Sequence, residues 1–448
     1  MTFDYNLFVI GAGPGGLAAA KKAASYGVRV AIAEQESIGG TCVNRGCVPK
    51  KLIVYAADFA LQNQIASSYG WSDCQTYFDW TLFIKSVHQH IDSINQSYFQ
   101  QLHKAGIELI SQHATFIDAH TINIDGRKVT ADKILIAVGG QPLKPNIPGI
   151  EYAITSREMF QLPYLPKRLT IIGGGYIGVE FSSMMHAFGC EVTVIEKDEM
   201  ILSGFDHDIR SAVQQALSKR GIKLFTNSTV QEIKYSDESL LLTITGESRE
   251  IITTDTILVA TGYTPNTKNL GLENAHVELG ENGAIKVDEY SCTSQKNIFA
   301  VGDCTSRVQL SPVAQAEGIA FADTVFGNKP QKLNYDYVPS AVFSRPEAAS
   351  VGMTEAKARE KFGESVKCYY TQFQTLLYQL TEQNESTTIK LVLNADSGQI
   401  LGAHMVGENA ADIIQSLGVA IRKGITKQDF DESIGIHPTT GEEFLSLN

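Results

Sequence analysis

The chain has 448 residues, enough for several domains, and 43% of them are apolar. A formal net charge of −12 and a pI of about 5.4 argue against a nucleic-acid-binding surface, and no apolar run approaches membrane-spanning length. The first residues show no basic region followed by an apolar run, so we expect no signal peptide.

Seven cysteines are spread along the sequence, and only two of them lie close together. An odd, scattered set argues against the disulfide framework of a small secreted protein, so we expect a reducing, cytoplasmic location. The five isolated cysteines are Cys74, Cys190, Cys292, Cys304 and Cys368.

The N-terminal segment has the pattern of a dinucleotide-binding unit. Tyr5–Ile10 predicts a buried strand, a helix follows to about Tyr26, and a second strand, Val28–Ala33, ends at Glu34. Glycines in the first turn let the backbone approach a pyrophosphate at the helix N-terminus, and an acid at the end of the second strand accepts a ribose hydroxyl. The glycines are Gly11, Gly13 and Gly16, and Glu34 lies 23 residues after the first. The alternative is a plain glycine-rich turn.

The same pattern recurs in the middle of the chain. Arg168–Ile172 predicts a strand, a helix follows through Phe188, and a second strand, Glu191–Ile195, ends at Glu196. The glycines of this turn are Gly173, Gly175 and Gly178. Glu196 again lies 23 residues after the first glycine, and two copies with equal spacing predict two bound dinucleotides.

Each copy is followed by a predicted strand that ends in a turn of small residues, Lys133–Gly140 after the first and Thr256–Gly262 after the second. Pro142–Gly149 is a candidate domain boundary, and Asn297–Cys304 is a further apolar strand that runs into Asp303. From about Leu333 the pattern changes to that of a separate α+β domain. Its predicted strands are Ser340–Phe343, Thr388–Leu393 and Gly402–Val406, and its amphipathic helix is Ala410–Lys423.

The segment Gly39–Lys51 contains the close cysteine pair, Cys42 and Cys47, with four residues between them. If this segment forms one turn that opens a helix, the two sulfurs come within bonding reach, and the helix N-terminus favours a thiolate at the nearer cysteine. The spacing alone also allows two unrelated buried cysteines. Its position directly after a nucleotide-binding unit favours a redox pair.

Five segments resemble one protein family over nearly the whole chain. The sequence is similar to the disulfide-reductase branch of the pyridine-nucleotide flavoenzymes, and most similar to the glutathione reductases. The segments are GAGPGG at 11–16, GGTCVNRGCVPKK at 39–51, GGGYIGVE at 173–180, NIFAVGDC at 297–304 and HPTTGEEF at 437–444. The second and last are specific, whereas the glycine motifs occur across a wide superfamily.

The resemblance implies an α/β protein with two Rossmann-like domains, for FAD and NAD(P), and a C-terminal α+β dimerisation domain. We expect an FAD-binding domain at 1–142, an NAD(P)-binding domain at 143–264, a central domain completing the FAD site at 265–332 and an interface domain at 333–448.

The resemblance also implies which residues hold the cofactors. It assigns the first three glycines to the FAD pyrophosphate, Glu34 to its adenosine ribose and Asp303 to a ribityl hydroxyl, and it adds Thr41. For Asp303 the alternative is a turn-capping aspartate. The residues implied for the nicotinamide cofactor are Gly173, Gly175, Tyr176, Gly178, Glu196, Lys197 and Gly262, of which Tyr176 would cover the nicotinamide pocket or, alternatively, pack in the core.

By the same resemblance, Cys47 faces the flavin and Cys42 attacks the substrate disulfide, while Lys50 and Glu180 form an ion pair near the flavin. The alternative for the last two is a solvated charge on a helix. His437 would exchange protons with Cys42 and the leaving thiolate, held in one tautomer by Glu442. In this family the histidine acts on the other subunit, which implies a homodimer.

Two departures from the family bear on specificity. Glu196 stands where NADPH-dependent members usually have arginine, and a carboxylate repels a 2′-phosphate, so we expect NADH preference. Lys197 could favour binding of the phosphate, but Asp198 and Glu199 oppose it. For the substrate, Tyr98 aligns with the family's tyrosine, whereas Lys21 replaces an arginine and Arg45 could supply charge; the alternative for both is an exposed helix or loop charge. We therefore expect glutathione disulfide or a related small disulfide. The alternatives are a dihydrolipoamide dehydrogenase and a nucleotide-binding redox sensor with little turnover.

Overall fold

The computed structural model describes residues 2–72, 77–246 and 249–447, so Cys74 lies outside the described residues. Within them, the strands are β1 (Tyr5–Ile10), β2 (Val30–Ala33), β3 (Glu108–Ile110), β4 (Ala114–Phe116), β5 (Thr121–Ile124), β6 (Arg127–Ile136), β7 (Gly140–Pro142), β8 (Ile154–Thr155), β9 (Arg168–Ile172), β10 (Glu191–Ile195), β11 (Lys223–Phe225), β12 (Thr229–Ser236), β13 (Ser239–Thr245), β14 (Arg249–Thr254), β15 (Thr256–Val259), β16 (Tyr263–Pro265), β17 (Ile298–Ala300), β18 (Ser340–Val342), β19 (Ala348–Gly352), β20 (Val366–Phe373), β21 (Thr387–Asn394) and β22 (Ile400–Val406).

The α-helices of the same residues are α1 (Pro14–Ala24), α2 (Gly40–Arg45), α3 (Cys47–Ile65), α4 (Trp80–Lys104), α5 (Ser156–Met159), α6 (Tyr176–Ala187), α7 (His207–Lys219), α8 (Ser311–Val325), α9 (Glu355–Phe362), α10 (Leu376–Gln379), α11 (Ala410–Arg422) and α12 (Lys427–Asp431). Short 3₁₀ turns lie at Ala66–Tyr69, Ile150–Tyr152, Gly302–Cys304, Gly363–Ser365 and Thr440–Phe444. No helix among the described residues is long and apolar enough to cross a bilayer.

The chain folds into two compact units, each built from three separated stretches. The first contains Met1–Lys50, Thr81–Leu143 and Gly262–Asn334. The second contains Lys51–Trp80, Lys144–Thr261 and Tyr335–Asn448. The boundaries of the four predicted domains stay predictions.

The first unit is organised around a parallel sheet in the order β3-β2-β1-β6-β17. Alternate residues of β1 enter different cores: Leu7 and Val9 pack with α1 on one face, and Phe8 and Ile10 pack on the other. Burial on both faces explains the uninterrupted apolar run of the strand. The predicted strands at Tyr5–Ile10 and Val28–Ala33 are confirmed, the latter starting two residues later.

Strand β6 starts at Arg127, six residues before the strand predicted at Lys133–Gly140. Its first residues pair antiparallel with β5, and the rest pairs parallel with β1. Asp125 and Gly126, with φ of 49° and 86°, form the two-residue turn between β5 and β6. This hairpin explains the longer strand.

The second unit contains a matching parallel sheet, in the order β11-β10-β9-β15-β8. Strands β9, β10 and β15 occupy the places of β1, β2 and β6, which confirms the internal repeat that the glycine patterns predict. An antiparallel sheet, β12-β13-β14, lies between β11 and β15 in the chain and is not among the predicted elements.

The C-terminal part of the second unit is an antiparallel sheet in the order β18-β19-β22-β21-β20. Helix α11 packs on it through Ile414 and Ile421, which share a core with Leu391 and Met405. The predicted helix at Ala410–Lys423 and the α+β character of this region are confirmed. The strands β19 and β20 complete a sheet of which only part was predicted.

Candidate active site and dinucleotide sites

The turn between β1 and α1 has the geometry that a pyrophosphate requires. Gly11 has a φ of 104°, and a Cβ there would lie 2.4 Å from the carbonyl oxygen of Ala137. A Cβ on Gly16 would lie 2.0 Å from the carbonyl oxygen of Gly11, so the helix packs directly on the turn. Gly13 has no atom within 4 Å of the corresponding position, which leaves open space at the N-terminus of α1.

Glu34 connects this turn to the end of β2. Its carboxylate accepts hydrogen bonds from the backbone N–H of Ala12 and of Glu36, each at 2.8 Å. Burial raises the pKa of Glu34 above its usual value. The two bonds fix the carboxylate beside the turn and leave lone pairs for a ribose hydroxyl.

The turn between β9 and α6 repeats this geometry nearly atom for atom. Gly173 has a φ of 110°, and a Cβ there would lie 2.5 Å from the carbonyl oxygen of Ala260. A Cβ on Gly178 would lie 2.0 Å from the carbonyl oxygen of Gly173, whereas Gly175 again borders open space. The two turns therefore fit the same kind of ligand, a dinucleotide pyrophosphate.

Glu196 occupies the position of Glu34 in the second copy. Its carboxylate accepts from the backbone N–H of Gly174 at 2.6 Å and of Asp198 at 2.9 Å. Lys197 is 73% exposed and its ammonium contacts Asp198 at 3.1 Å. The carboxylate, and not a cation, thus lies next to the glycine turn.

Two further predicted cofactor residues belong to different units, Tyr176 to the second and Gly262 to the first. Tyr176 is the first residue of α6, directly after Gly175, and is half exposed. Gly262 follows β15 with a φ of 122° and borders open space. Their roles stay predictions.

The cysteine pair spans two consecutive helices. Cys42 lies in α2, and Cys47 is the first residue of α3. Thr41 precedes Cys42 and is half buried. A Cβ on Gly40 would lie 2.8 Å from Cα of Gly13, so α2 packs against the first glycine turn. Helix α2, which carries Cys42, therefore lies beside the first glycine turn, and α3, which carries Cys47, begins two residues after α2 ends.

The two thiols are electrostatically unequal. A hydrogen bond from Cys42, supported by Ser311 and by the charge of Lys50, lowers the pKa of Cys47 to about 6, although burial opposes the shift. The same bond to Cys47 and burial raise the pKa of Cys42. The pair therefore holds one thiolate, at Cys47, and one thiol, at Cys42.

Ser311, the first residue of α8, is a site residue that the sequence analysis does not identify. Its Oγ lies 3.4 Å from Sγ of Cys47. The contact joins residues 264 positions apart, and the only local signal is a Ser-Pro pair that opens a helix. Ser311 is suited to stabilise the thiolate by donating a hydrogen bond.

Asp303 lies in the 3₁₀ turn that follows β17. Burial, together with the nearby charge of Glu317, raises the pKa of Asp303 to about 6. Glu317, also absent from the sequence predictions, is 1% exposed and accepts from the backbone N–H of Gly302 at 2.6 Å and from Arg307 at 3.4 Å. These bonds fix the turn that presents Asp303.

His437 and Glu442 are brought together as predicted. Nδ1 of His437 lies 3.0 Å from Oε1 of Glu442, which also accepts from the backbone N–H of Thr439 at 3.1 Å. The imidazole is 83% exposed. Because Nδ1 is engaged, Nε2 is the ring nitrogen available to another molecule.

The remaining predicted charges have well-defined surroundings. Glu180 is buried and accepts from the backbone N–H of Phe343 at 2.8 Å. Lys50 lies one turn after Cys47 in α3. Because Lys50 and Glu180 belong to different units, their ion pair stays a prediction.

Two of the three predicted substrate residues are neighbours. The ammonium of Lys21 lies 5.5 Å from the ring centroid of Tyr98 and donates to Gln101 at 3.1 Å. The guanidinium of Arg45 instead pairs with Glu36. The described residues contain no cluster of three or more His, Cys, Asp or Glu side chains that could hold a metal ion.

Comparison with known proteins agrees with these sites. The family model for pyridine nucleotide-disulphide oxidoreductases matches residues 5–318, and the model for the dimerisation domain of these proteins matches residues 338–447. The glutathione reductase of Nostoc sp. is 49% identical over 458 residues, which cover 100% of both chains. That of Burkholderia cepacia is 43% identical over 446 residues, or 99% of this chain and 98% of the relative. The chloroplastic/mitochondrial enzyme of Pisum sativum is 41% identical over 457 residues, or 99% of this chain and 82% of the relative.

Proposed function

Because the chain belongs to the pyridine nucleotide-disulphide oxidoreductase family, we propose that it reduces glutathione disulfide to two glutathione thiols with electrons from a nicotinamide dinucleotide. The observation that carries this proposal is the Cys42–Cys47 pair beside the first dinucleotide turn, with the pKa of Cys47 lowered to about 6. Relatives named glutathione reductase, 41–49% identical over nearly the whole chain, support the choice of substrate.

The family uses FAD and a pyridine nucleotide, and the two glycine turns fit them. We assign FAD to the first turn, with Glu34, Thr41 and Asp303, and the nicotinamide dinucleotide to the second, with Tyr176 and Gly262. When bound, the flavin transfers electron pairs between a hydride donor and a disulfide. The chain's own residues orient the flavin. The space beside Gly13, at the start of α1, receives the pyrophosphate, and the buried Glu317 fixes the turn that contains Asp303 by accepting a hydrogen bond from Gly302.

The different pKa values of the two thiols support different roles for Cys42 and Cys47 in the reaction. Cys42 has a raised pKa and needs a base, so Nε2 of His437 takes its proton as Sγ attacks one sulfur of the substrate. A mixed disulfide forms, and the first glutathione leaves as a thiolate that accepts the proton from His437. The thiolate of Cys47 then attacks Sγ of Cys42, which closes the internal disulfide and releases the second glutathione as a thiolate that takes up a proton from the solvent. Lys50 favours the Cys47 thiolate, and Glu180 is its proposed partner.

We assign the substrate carboxylates to Lys21 and Arg45 and a stacking or hydroxyl contact to Tyr98. The contact between Lys21 and Tyr98 supports a shared subsite for these two residues. The carboxylate of Glu36 offsets the positive charge of Arg45. This arrangement suits a substrate with few carboxylates.

The proposed active form is a homodimer in which His437 acts on the partner's cysteines. The match of residues 338–447 to a dimerisation domain supports this assembly. Ile434 and Ile436, next to His437, are 97% and 77% exposed in the single chain, as expected for side chains that a second copy covers. The four predicted domains, 1–142, 143–264, 265–332 and 333–448, and a reducing cytoplasmic compartment complete the proposal.

We propose NADH as the preferred reductant. The bonds of Glu196 to Gly174 and Asp198 copy those of Glu34 to Ala12 and Glu36. The first site is assigned to FAD, whose adenosine has a free 2′-hydroxyl, so a copy of it is suited to NADH. A carboxylate at this position repels the 2′-phosphate of NADPH.

One anaerobic assay tests the function: NADH and NADPH, each supplied with glutathione disulfide or with lipoamide. We expect the highest kcat/KM for NADH with glutathione disulfide. Higher activity with lipoamide would indicate a dihydrolipoamide dehydrogenase. Flavin bleaching by NADH without turnover of either disulfide would indicate a redox sensor.

A further inference from the structure

Arg210, in the first turn of α7, holds the loop that follows Glu196. We call residues 197–205 the ribose loop, because they follow Glu196, the proposed ribose-binding residue, and end before Asp206, the N-cap of α7. Nε of Arg210 donates to the carbonyl oxygen of Ile201 at 2.8 Å, and Nη2 donates to that of Met200 at 2.7 Å. A guanidinium presents its donors in a rigid fork, so two adjacent carbonyls fix both partners.

The ribose loop is anchored at two further points. The backbone N–H of Leu202 donates to the carbonyl oxygen of Gly174 at 2.8 Å, and that of Ile201 donates to Gln214 at 3.2 Å. Leu202 has a φ of 55°, which is unfavourable for a leucine, yet its side chain is only 1% exposed. The anchors therefore hold the loop in a conformation that it would not adopt alone.

Gly174 connects the ribose loop to Glu196. Its carbonyl oxygen accepts from Leu202, while its N–H donates to Glu196 at 2.6 Å. A Cβ on Gly174 would lie 2.8 Å from Cγ2 of Ile201 and 3.0 Å from Oε2 of Glu196, so the three residues are in close contact. A shift of the loop would move the carboxylate.

We propose that Arg210 is a positioning residue for coenzyme choice: it keeps the ribose loop closed on Gly174, so that Glu196 faces a free ribose 2′-hydroxyl. Because its guanidinium donates to the backbone carbonyl oxygens of Met200 and Ile201, these donors are not directed at a 2′-phosphate. This inference rests on the proposed preference for NADH.

The test measures binding of two probes, ADP-ribose and 2′-phospho-ADP-ribose, to the FAD-containing enzyme by titration calorimetry. In Arg210→Met we expect ADP-ribose to bind about tenfold more weakly, because the loop loses two charge-assisted bonds, and the preference over the phosphorylated probe to fall by about the same factor. KM for NADH should rise while kcat at saturating NADH stays within about twofold. Arg210→Lys, which keeps the charge but presents its donors from a single nitrogen, should restore part of the preference.

Arg220→Met is the matched control, since Arg220 caps the other end of α7 and pairs with Glu385. It should leave the preference between the probes unchanged. An unchanged preference in Arg210→Met and Arg210→Lys, or an equal loss in Arg220→Met, would overturn the role of Arg210. Tighter binding of the phosphorylated probe by the unmodified enzyme would overturn the NADH preference instead, and the change of the ratio in the variants would still decide the role of Arg210.

Discussion

The thiolate at Cys47 depends on Cys42, Ser311 and Lys50, and Ser311 is the uncharged neighbour outside the cysteine pair. Ser311→Ala should raise the pKa of Cys47 from about 6 toward the ordinary value of 9.0. Between these pH values the reduced variant should be alkylated at Cys47 more slowly than the unmodified protein, and above them equally fast.

The same shift predicts a pH dependence of stability. The pKa of Cys47 is lower in the folded protein than in the unfolded chain, so its thiolate contributes stability that is fully present above about pH 9 and is lost as the pH falls through about 6. Thermal unfolding of the reduced protein across this range should show a smaller rise in Ser311→Ala. Ser86→Ala, on the surface of α4, serves as the control. Equal pH profiles for the two variants would refute the role of Ser311.

His437 should act in only one half of the reaction. His437→Gln keeps a side chain that can bond to Glu442 but cannot transfer a proton at neutral pH. Turnover of glutathione disulfide should fall by at least about a hundredfold, while anaerobic reduction of the flavin by NADH stays unchanged. His103→Gln, at the exposed end of α4, should affect neither rate. Comparable losses in both half-reactions would contradict the assignment.

At the level of the elements, two glycines of the β1–α1 turn have different roles: Gly16 allows close packing, and Gly13 leaves space for a ligand. Gly16→Ala puts a methyl group against the carbonyl oxygen of Gly11, 2.0 Å away, and should destabilise the flavin-free protein by about 1–3 kcal/mol. Gly13→Ala meets no atom within 4 Å and has a φ of −77°, so the flavin-free protein should keep its stability. The methyl group there should instead weaken FAD binding, since it fills the space of the pyrophosphate.

Thermal unfolding of the flavin-free variants and titration with FAD distinguish these two effects. Loss of stability in Gly13→Ala would contradict the open space around this residue. Normal FAD affinity in that variant would show that the space is not the pyrophosphate site.

Elements with short-range signals were predictable from the sequence. The β1–α1–β2 and β9–α6–β10 units need a glycine turn, a helix and a buried strand within about thirty residues, and all of these are visible locally. Helix α4 is not among the predicted elements, although its buried residues Trp80, Ile84, Val87 and Ile91 recur at helical spacing, a local signal that could have identified it. The sheet β12-β13-β14 is also absent from the predicted elements. Its strands lie outside the five segments that resemble the family.

Long-range contacts were not predictable. Ser311 acts on Cys47 across 264 residues, and Glu317 reaches Gly302 only because α8 folds back on the 3₁₀ turn. Arg210 contacts carbonyl groups, which leave no trace in side-chain patterns. By contrast, His437 and Glu442 are five residues apart, and a local turn suffices to join them.

For the whole molecule, the central expectation is an active site shared between two subunits. Cys42→Ser and His437→Gln should each be nearly inactive alone. If His437 acts on the partner subunit, a mixture of the two variants, dissociated and reassembled, should regain about a quarter of the normal activity, because half of the dimers are mixed and each carries one complete site. Absence of recovery, with mixed dimers verified by mass spectrometry, would place the histidine in the same subunit as its cysteines.

The most direct test of the account counts free thiols at Cys42 and Cys47 under anaerobic conditions, by alkylation and peptide mass spectrometry. The oxidised enzyme should show neither cysteine labelled, the enzyme reduced with one equivalent of NADH should show both, and subsequent glutathione disulfide should abolish the labelling again. Labelling of the two cysteines that does not change on adding NADH or glutathione disulfide would contradict the transfer of electrons through this pair.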